Sequence, residues 1–417
     1  MNWFDELPTK IQTAVKIAEQ KIQPYLAVID RQTENNQAKV LKAFHDQQVA
    51  ETHLFGSTGY GNNDEGREVL DAVYAQVFGA PAALVRPQFV SGTHTLAVGL
   101  YGCLKPGQKL LYLTGKPYDT MQEVIGLTGD GTGSLKEYGV TFDYVSLTDQ
   151  GQIDYEQVAQ KLATFAPDVV AIQRSRGYDP RPSLRISEIQ KLITFVKQRC
   201  QALVFVDNCY GEFSEEIEPT QVGADLIAGS LFKNAGAGLA TTGGYLAGRE
   251  DLIERSAIFL TAPGIGRHEG ATGTNLRWMI EGFFLAPQAT GNAIKGAIFA
   301  AALLEELGFE VTPRFDEPRT DLIQTVILGS AEKMIQFAKA IQKYSPIDSF
   351  VEPVASAMDG YEDQIVMAAG TFVQGSTIEL SADGPLRPPY AIYLQGGLTY
   401  AHAKIAVAHA CADLLKI

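Results

Sequence analysis

The sequence predicts an α/β protein: a large domain built on a mostly parallel sheet, followed by a smaller C-terminal α+β domain. Three observations support this. The chain has 417 residues, well beyond the ~250–300 residues at which single cores stop growing. From about residue 66 to 250, short apolar runs alternate with amphipathic stretches, as a sheet covered on both faces requires. Beyond about residue 300 that alternation gives way to one helical stretch, short strand candidates and a closing helix.

The elements follow in order. Ile11, Val15, Ala18 and Ile22 recur at helical spacing, and Pro24 is expected to end or kink that pattern. A second helical segment is expected around Asn35–Val49, making residues 1–50 a helical arm. Gly56-Ser-Thr-Gly-Tyr-Gly-Asn-Asn63 is too rich in turn residues for an element interior. The strand candidates of the large domain, residues 51–295, are Lys109–Thr114, Phe142–Leu147, Asp168–Gln173, Ala202–Asp207, Asp225–Ser230 and Gly244–Ala247. Tyr155–Phe165 and Ile186–Arg199 read as helices between them. Residues 296–417 form the smaller domain, with a helix at Ala297–Leu307 and strands at Ile365–Ala369, Ser376–Leu380 and Ala391–Leu394. A helix from about Thr399 to Leu415 closes the chain.

Thirty-four basic against 48 acidic side chains give a net charge of -14. Such a surface repels nucleic acid and anionic membranes, so neither is an expected partner. No signal peptide and no run of 18 apolar residues is visible, and the four cysteines show no C-x-x-C spacing. A cytoplasmic location is expected. The six histidines show no zinc spacing, so no metal is expected.

In an open α/β sheet, ligands bind beyond the carboxyl ends of the strands. Val204-Phe-Val-Asp207 ends one apolar run in a carboxylate, and Gly229-Ser-Leu-Phe-Lys233 ends the next in an amine. Each alone reads equally as a solvated strand end. Together they suit pyridoxal phosphate, which needs a lysine for its imine link and a carboxylate facing the pyridine nitrogen. The lysine must lose its proton to attack, so a desolvated, partly cationic site that lowers its pKa is expected. Val90-Ser-Gly-Thr-His-Thr95 opens an apolar helical stretch, and its free N–H groups and hydroxyls suit a phosphate, or an ordinary helix cap. Tyr118 leaves another strand end, where it would cover a ring face or simply pack in a loop.

These segments, in this order and spacing, resemble the fold-type-I pyridoxal phosphate enzymes. Within them the wording is similar to the methionine γ-lyase-like family, also called aluminium-resistance or cystathionine β-lyase-like proteins. The resemblance is carried by Ser-Thr-Gly-Tyr60-Gly with Gly66-Arg67, Val-Ser91-Gly-Thr-His, Lys-Pro-Tyr118-Asp, Gln173-Arg-Ser-Arg-Gly-Tyr178 with Arg181-Pro-Ser, Val-Asp207-Asn-Cys-Tyr-Gly-Glu-Phe and Gly-Ser230-Leu-Phe-Lys233-Asn. Gly243-Gly-Tyr-Leu-Ala-Gly248 and Gly264-Ile-Gly match as well, so about residues 50–400 are covered.

The resemblance implies a seven-stranded sheet and a carbon–sulfur lyase acting on a sulfur-containing amino acid. Lys233 would bond to the cofactor and shuttle protons, Asp207 would pair with the pyridinium nitrogen, and Tyr118 would stack on the ring and assist as an acid. Cys209 would pack near the opposite face. Ser91, Gly92, Thr93 and Ser230 would hold the phosphate. Tyr60 and Arg67 resemble the pair that reaches the phosphate from a neighbouring subunit, which implies a homodimer or homotetramer.

Arg387, in Asp383-Gly-Pro-Leu-Arg-Pro-Pro389, is the candidate for the substrate carboxylate, because a guanidinium grips a carboxylate bidentately and the prolines restrict its loop. Arg174, Arg176 and Arg181 form a second basic cluster that would serve substrate or phosphate, or pair with Asp179 and nearby glutamates. The wording departs from the better-known transsulfuration lyases after Tyr60 and at Asn234-Ala-Gly, which leaves β- against γ-elimination open. Transamination, aldol cleavage and a non-catalytic cofactor carrier or sensor are the alternatives. Ser230-x-x-Lys233 also matches a serine acyl-enzyme signature, but its companion motifs are absent. Gly129-Asp-Gly-Thr-Gly133 reads as a turn cluster.

Overall fold

The computed structural model describes residues 2–179, 181–358 and 361–416. The N-terminal arm is a single helix, α1 (Thr9–Asp46), which runs through Pro24 instead of breaking there. A proline costs a helix one hydrogen bond and crowds the turn before it. Here Ile11, Val15, Ala18 and Ile22 before Pro24, and Leu26 and Ile29 after it, bury one continuous stripe. That stripe packs along a long helix from later in the chain, and tertiary burial overrides the local penalty.

The chain then runs α2 (Glu65–Val77), β1 (Ala82–Arg86), α3 (Gly92–Cys103), β2 (Lys109–Tyr112), α4 (Asp119–Ile125), β3 (Thr141–Tyr144), α5 (Tyr155–Thr164), β4 (Val169–Gln173), α6 (Ile186–Lys197), β5 (Leu203–Asp207), β6 (Leu226–Ser230), β7 (Gly244–Gly248) and α7 (Glu250–Leu260), elements whose strands build one sheet. Its seven strands are ordered β1-β7-β6-β5-β4-β2-β3. β3, β2, β4, β5 and β6 run parallel, and β7 is antiparallel to both β6 and β1. Alternating residues feed two cores: Val204 and Val206 of β5 face one and Phe205 faces the other. β1 lies outside the expected strands.

α8 (Asn275–Glu306) begins some twenty residues before the expected helix, so position 295 falls inside it. The C-terminal part continues with β8 (Glu310–Thr312), β9 (Gln324–Ile327), α9 (Ala331–Lys343), β10 (Ile365–Ala368), β11 (Ser381–Pro385), β12 (Ala391–Gln395) and α10 (Tyr400–Leu414). Its five strands, ordered β10-β11-β12-β9-β8, pair antiparallel throughout. The strand expected at 376–380 is displaced to Ser381–Pro385, and β8, β9 and α9 are additional. No helix among the described residues is long and apolar enough to cross a membrane.

Candidate active site

The carboxyl ends of the parallel strands open into one cavity, lined by Gly92, Thr93, Tyr118, Asp207, Cys209 and Lys233 among others. Asp207 is the last residue of β5, and Lys233 stands three residues beyond β6. These two strands are adjacent and parallel, so the sheet itself delivers the carboxylate and the amine to the same space. The Asp207 Oδ1 accepts a 3.0 Å hydrogen bond from the Cys209 N–H. Burial pushes the Asp207 carboxyl above its ordinary value, and the nearby Lys233 charge opposes that.

Lys233 Nζ lies 4.2 Å from the centroid of the Tyr210 ring. Burial pulls this amine down, but Cys209, Tyr210, Asp207 and Glu212 outweigh it and hold the amine above its ordinary value. The surroundings of Lys233 are acidic, which corrects the expected cationic site and the expected lowered pKa: Asp207 ends β5, and the loop after it supplies Cys209, Tyr210 and Glu212. The Cys209 thiol is pushed up, by burial first and by Asp207 next, which disfavours the thiolate that a nucleophile needs.

A phosphate cradle requires donors that the protein leaves free. Ser91 caps α3, its hydroxyl accepting from the His94 N–H at 3.0 Å. The N–H groups of Gly92 and Thr93 make no hydrogen bond among the described residues. Gly92 sits against Ser230 and Cys209: a Cβ built on it would lie 3.4 Å from the Ser230 Cβ and 3.7 Å from the Cys209 Sγ. Two free amides at the N-terminus of a 12-residue helix suit a phosphate, and with Lys233 and Asp207 on the same cavity the donor set fits pyridoxal phosphate. Ser230 is buried, and its Oγ accepts from the Phe232 N–H at 3.1 Å.

The model of the methionine gamma-lyase family matches residues 11–415. The chain belongs to that family. It is 52% identical, over 93% of its length and 92% of the relative's, to uncharacterised protein YnbB of Bacillus subtilis (strain 168). Among solved structures it is similar to a Clostridium novyi NT protein described as a carbon-sulfur lyase involved in aluminum resistance, at 47% identity and a TM-score of 0.93, covering 97% of this chain and 96% of that one. It is likewise similar to a Listeria monocytogenes protein described as a candidate cystathionine beta-lyase involved in aluminum resistance, at 51% identity and a TM-score of 0.94, covering 97% and 100%. The fold is also that of YhfS, a pyridoxal-5'-phosphate-dependent protein of Escherichia coli, at 17% identity and a TM-score of 0.64, covering 93% and 97%. The fold is therefore the fold-type-I one, in a family of lyases.

Not every expected residue reaches this family's cavity. Tyr60 is 75% exposed. Arg67 is buried in its own chain, its guanidinium donating to the carbonyls of Gly61, Gly270 and His268 at 2.8, 3.1 and 3.0 Å. Arg387 pairs with Asp363 at 2.7 Å. It lines an adjoining pocket with Lys116, Asp119 and Asp179 that meets the main cavity at Tyr118, Gln173 and Tyr178. Of the second basic cluster, Arg174 is fully buried against Glu215 and Glu218, both at 3.3 Å. Arg181 donates to the carbonyls of Gln173 and Ser175, and Arg176 to Ser183, Thr312 and Thr325. Arg174 and Arg181 brace the strand ends from behind.

The small domain contributes cavity residues that the sequence reading passed over. Asp383, on β11, accepts hydrogen bonds from the Tyr178 hydroxyl and, at 2.7 Å, from Gln395 Nε2. Burial pushes this carboxyl up to about 6. Tyr361 comes from the segment between α9 and β10, and its hydroxyl lies 2.5 Å from that of Tyr118. The Asp383-Gly-Pro order looks like a turn, and Tyr361 stands in no periodic pattern; the spacing of strand and turn residues pointed to neither.

Proposed function

We propose that this chain is a pyridoxal phosphate-dependent carbon–sulfur lyase that eliminates a β or γ substituent from a sulfur-containing amino acid of the methionine, cystathionine or cysteine type. The observation that carries this reading is the shared cavity of Lys233, Asp207 and the free amides of Gly92 and Thr93. Pyridoxal phosphate, when bound, supplies an electron sink for the charge left at the substrate α-carbon. Asp207 would face the pyridine nitrogen with its carboxylate and favour a proton there. Lys233 Nζ would bond to the cofactor at rest and, when free, would take the α-proton. The Tyr118 hydroxyl would give a proton to the departing sulfur. Gly92, Thr93, Ser91 and Ser230 would hold the phosphate, and Cys209 would pack beside the ring. Arg387 would hold the substrate carboxylate after exchanging Asp363 for it. A second copy of the chain would add Tyr60 and Arg67, in a homodimer or homotetramer.

The test is turnover by the purified holoprotein of methionine, homocysteine, cysteine and cystathionine, read as release of a 2-oxo acid and ammonia. Lys233→Ala is expected to abolish both that release and borohydride trapping of the cofactor. Arg387→Ala is expected to raise KM while leaving the trapping intact. Silence of the parent protein across a wide amino-acid panel favours a non-catalytic carrier, and normal turnover by Lys233→Ala removes the mechanism.

A further inference from the structure

The cavity holds a hydroxyl that the reaction above does not use. The hydroxyls of Tyr361 and Tyr118 are 2.5 Å apart, at the short end of O–H···O hydrogen bonds. Their rings meet edge to face, with centroids 6.2 Å apart. Tyr178 completes a triangle, its centroid 6.0 Å from Tyr118 and 5.7 Å from Tyr361, and it donates its own hydroxyl to Asp383. The charged and titratable groups facing the pair are Asp383, Tyr178 and Tyr210 around Tyr118, and Asp383, Asp119 and Lys233 around Tyr361. Tyr118 stands just before α4, beside the seven-stranded sheet, and Tyr361 just before β10 of the five-stranded sheet, so the contact joins residues far apart in the chain.

We infer that Tyr361 is a positioning residue that shares the Tyr118 proton, so that the two phenols act as one acid toward the departing sulfur. This rests on the lyase reading. As the carbon–sulfur bond breaks, its electron pair stays on sulfur; the Tyr118 O–H bond breaks and an S–H bond forms. The Tyr118 phenolate then accepts a hydrogen bond from the Tyr361 hydroxyl. The proton that Lys233 takes from the α-carbon restores Tyr118, so the count closes. A charge-assisted hydrogen bond of this kind is about twice as strong as a neutral one, and it exists only once the proton has moved. Burial pushes both phenols above their ordinary value, so each keeps its proton in the resting cavity.

The test is Tyr361→Phe in the holoprotein, which keeps the ring and its edge-to-face contact. The expected result is a kcat lower by about 10- to 100-fold with KM little changed. The second readout needs no turnover: nuclear magnetic resonance of tyrosine labelled at Cζ follows phenol ionisation directly. The Tyr118 line, identified as the one lost in Tyr118→Phe, is expected to titrate in Tyr361→Phe at a higher pH than the first step of the pair in the parent. An unmoved titration overturns the inference whatever happens to kcat, since lost packing alone would lower the rate. A moved titration in a protein that turns over no amino acid keeps the shared proton and removes the lyase reading.

Discussion

Glu212 is a fully buried carboxyl group close enough to Lys233 to affect its charge. Its Oε1 accepts from the Tyr245 hydroxyl at 2.9 Å, while its Oε2 has no partner among the described residues. Gly229 in β6 makes the room: a Cβ there would fall 2.4 Å from Glu212 Oε1. Burial pushes the group from 4.5 up to about 8. The folded protein therefore keeps a proton that the unfolded chain releases, and this contribution to stability is complete below about pH 4.5 and lost as the pH rises through about 8. Asp383, raised to about 6, works in the same direction. Glu212→Gln cannot ionise, so its melting temperature is expected to fall less than that of the parent between pH 5 and 8, roughly the window bounded by the two values. Parallel melting profiles for the two proteins would assign the pH dependence to other groups.

At the scale of elements, α1 carries its own weak point. Pro24 is exposed in mid-helix, where no amide is available for the carbonyl one turn back, and an interior proline costs a helix about 3 kcal/mol. Because the buried stripe on either side holds the helix in place, Pro24→Ala is expected to raise stability by about 1–3 kcal/mol in denaturant unfolding. A loss instead would show that the proline shapes the packing of α1 on α8. The same element explains what the sequence makes legible. Ile11 to Ile29 identify the helix, but a local rule stops it at Pro24, because the partner surface is not visible in the chain order. The parallel strands β2 to β6 are legible as short apolar runs, β2, β3 and β4 each with a helix after it, and Asp207 and Lys233 are legible because one ends β5 and the other follows β6 by three residues. β1 is hidden: its five residues end in Arg86, a buried charge held by a 2.7 Å pair with Asp71 and by the carbonyls of Val85 and Arg267. β11 is hidden for a different reason. Ser-Ala-Asp-Gly-Pro has turn chemistry, and only its place between β10 and β12 makes it a strand. Asp383 is hidden with it, and Tyr361, which stands in the segment between α9 and β10, has no local signature at all.

For the whole molecule, the question is what one copy leaves unfinished. A single chain gathers Lys233, Asp207, Tyr118 and the α3 amides from the large domain, and Asp383, Tyr361 and Gln395 from the small one. It leaves Tyr60 75% exposed within the glycine-rich turn and Phe55 67% exposed just before it. Arg67 holds that turn by donating to Gly61, Gly270 and His268, so the exposed tyrosine stands on a braced base. Exposed aromatic groups on a rigid loop suit a surface that another molecule covers, and a second copy of this chain is the occupant the family resemblance implies. If Tyr60 completes the site of its neighbour, two crippled chains can repair each other. Lys233→Ala lacks the amine but still offers Tyr60; Tyr60→Ala lacks the phenol but still has the amine. Each alone is expected to be impaired. Co-expressed with different tags and purified as the mixed oligomer, they form one site in which the Lys233 of one chain meets the Tyr60 of the other, and turnover is expected to return in part. Mixed oligomers no more active than Tyr60→Ala alone would place Tyr60 in the service of its own chain, and an active monomer at every concentration would remove its role across subunits.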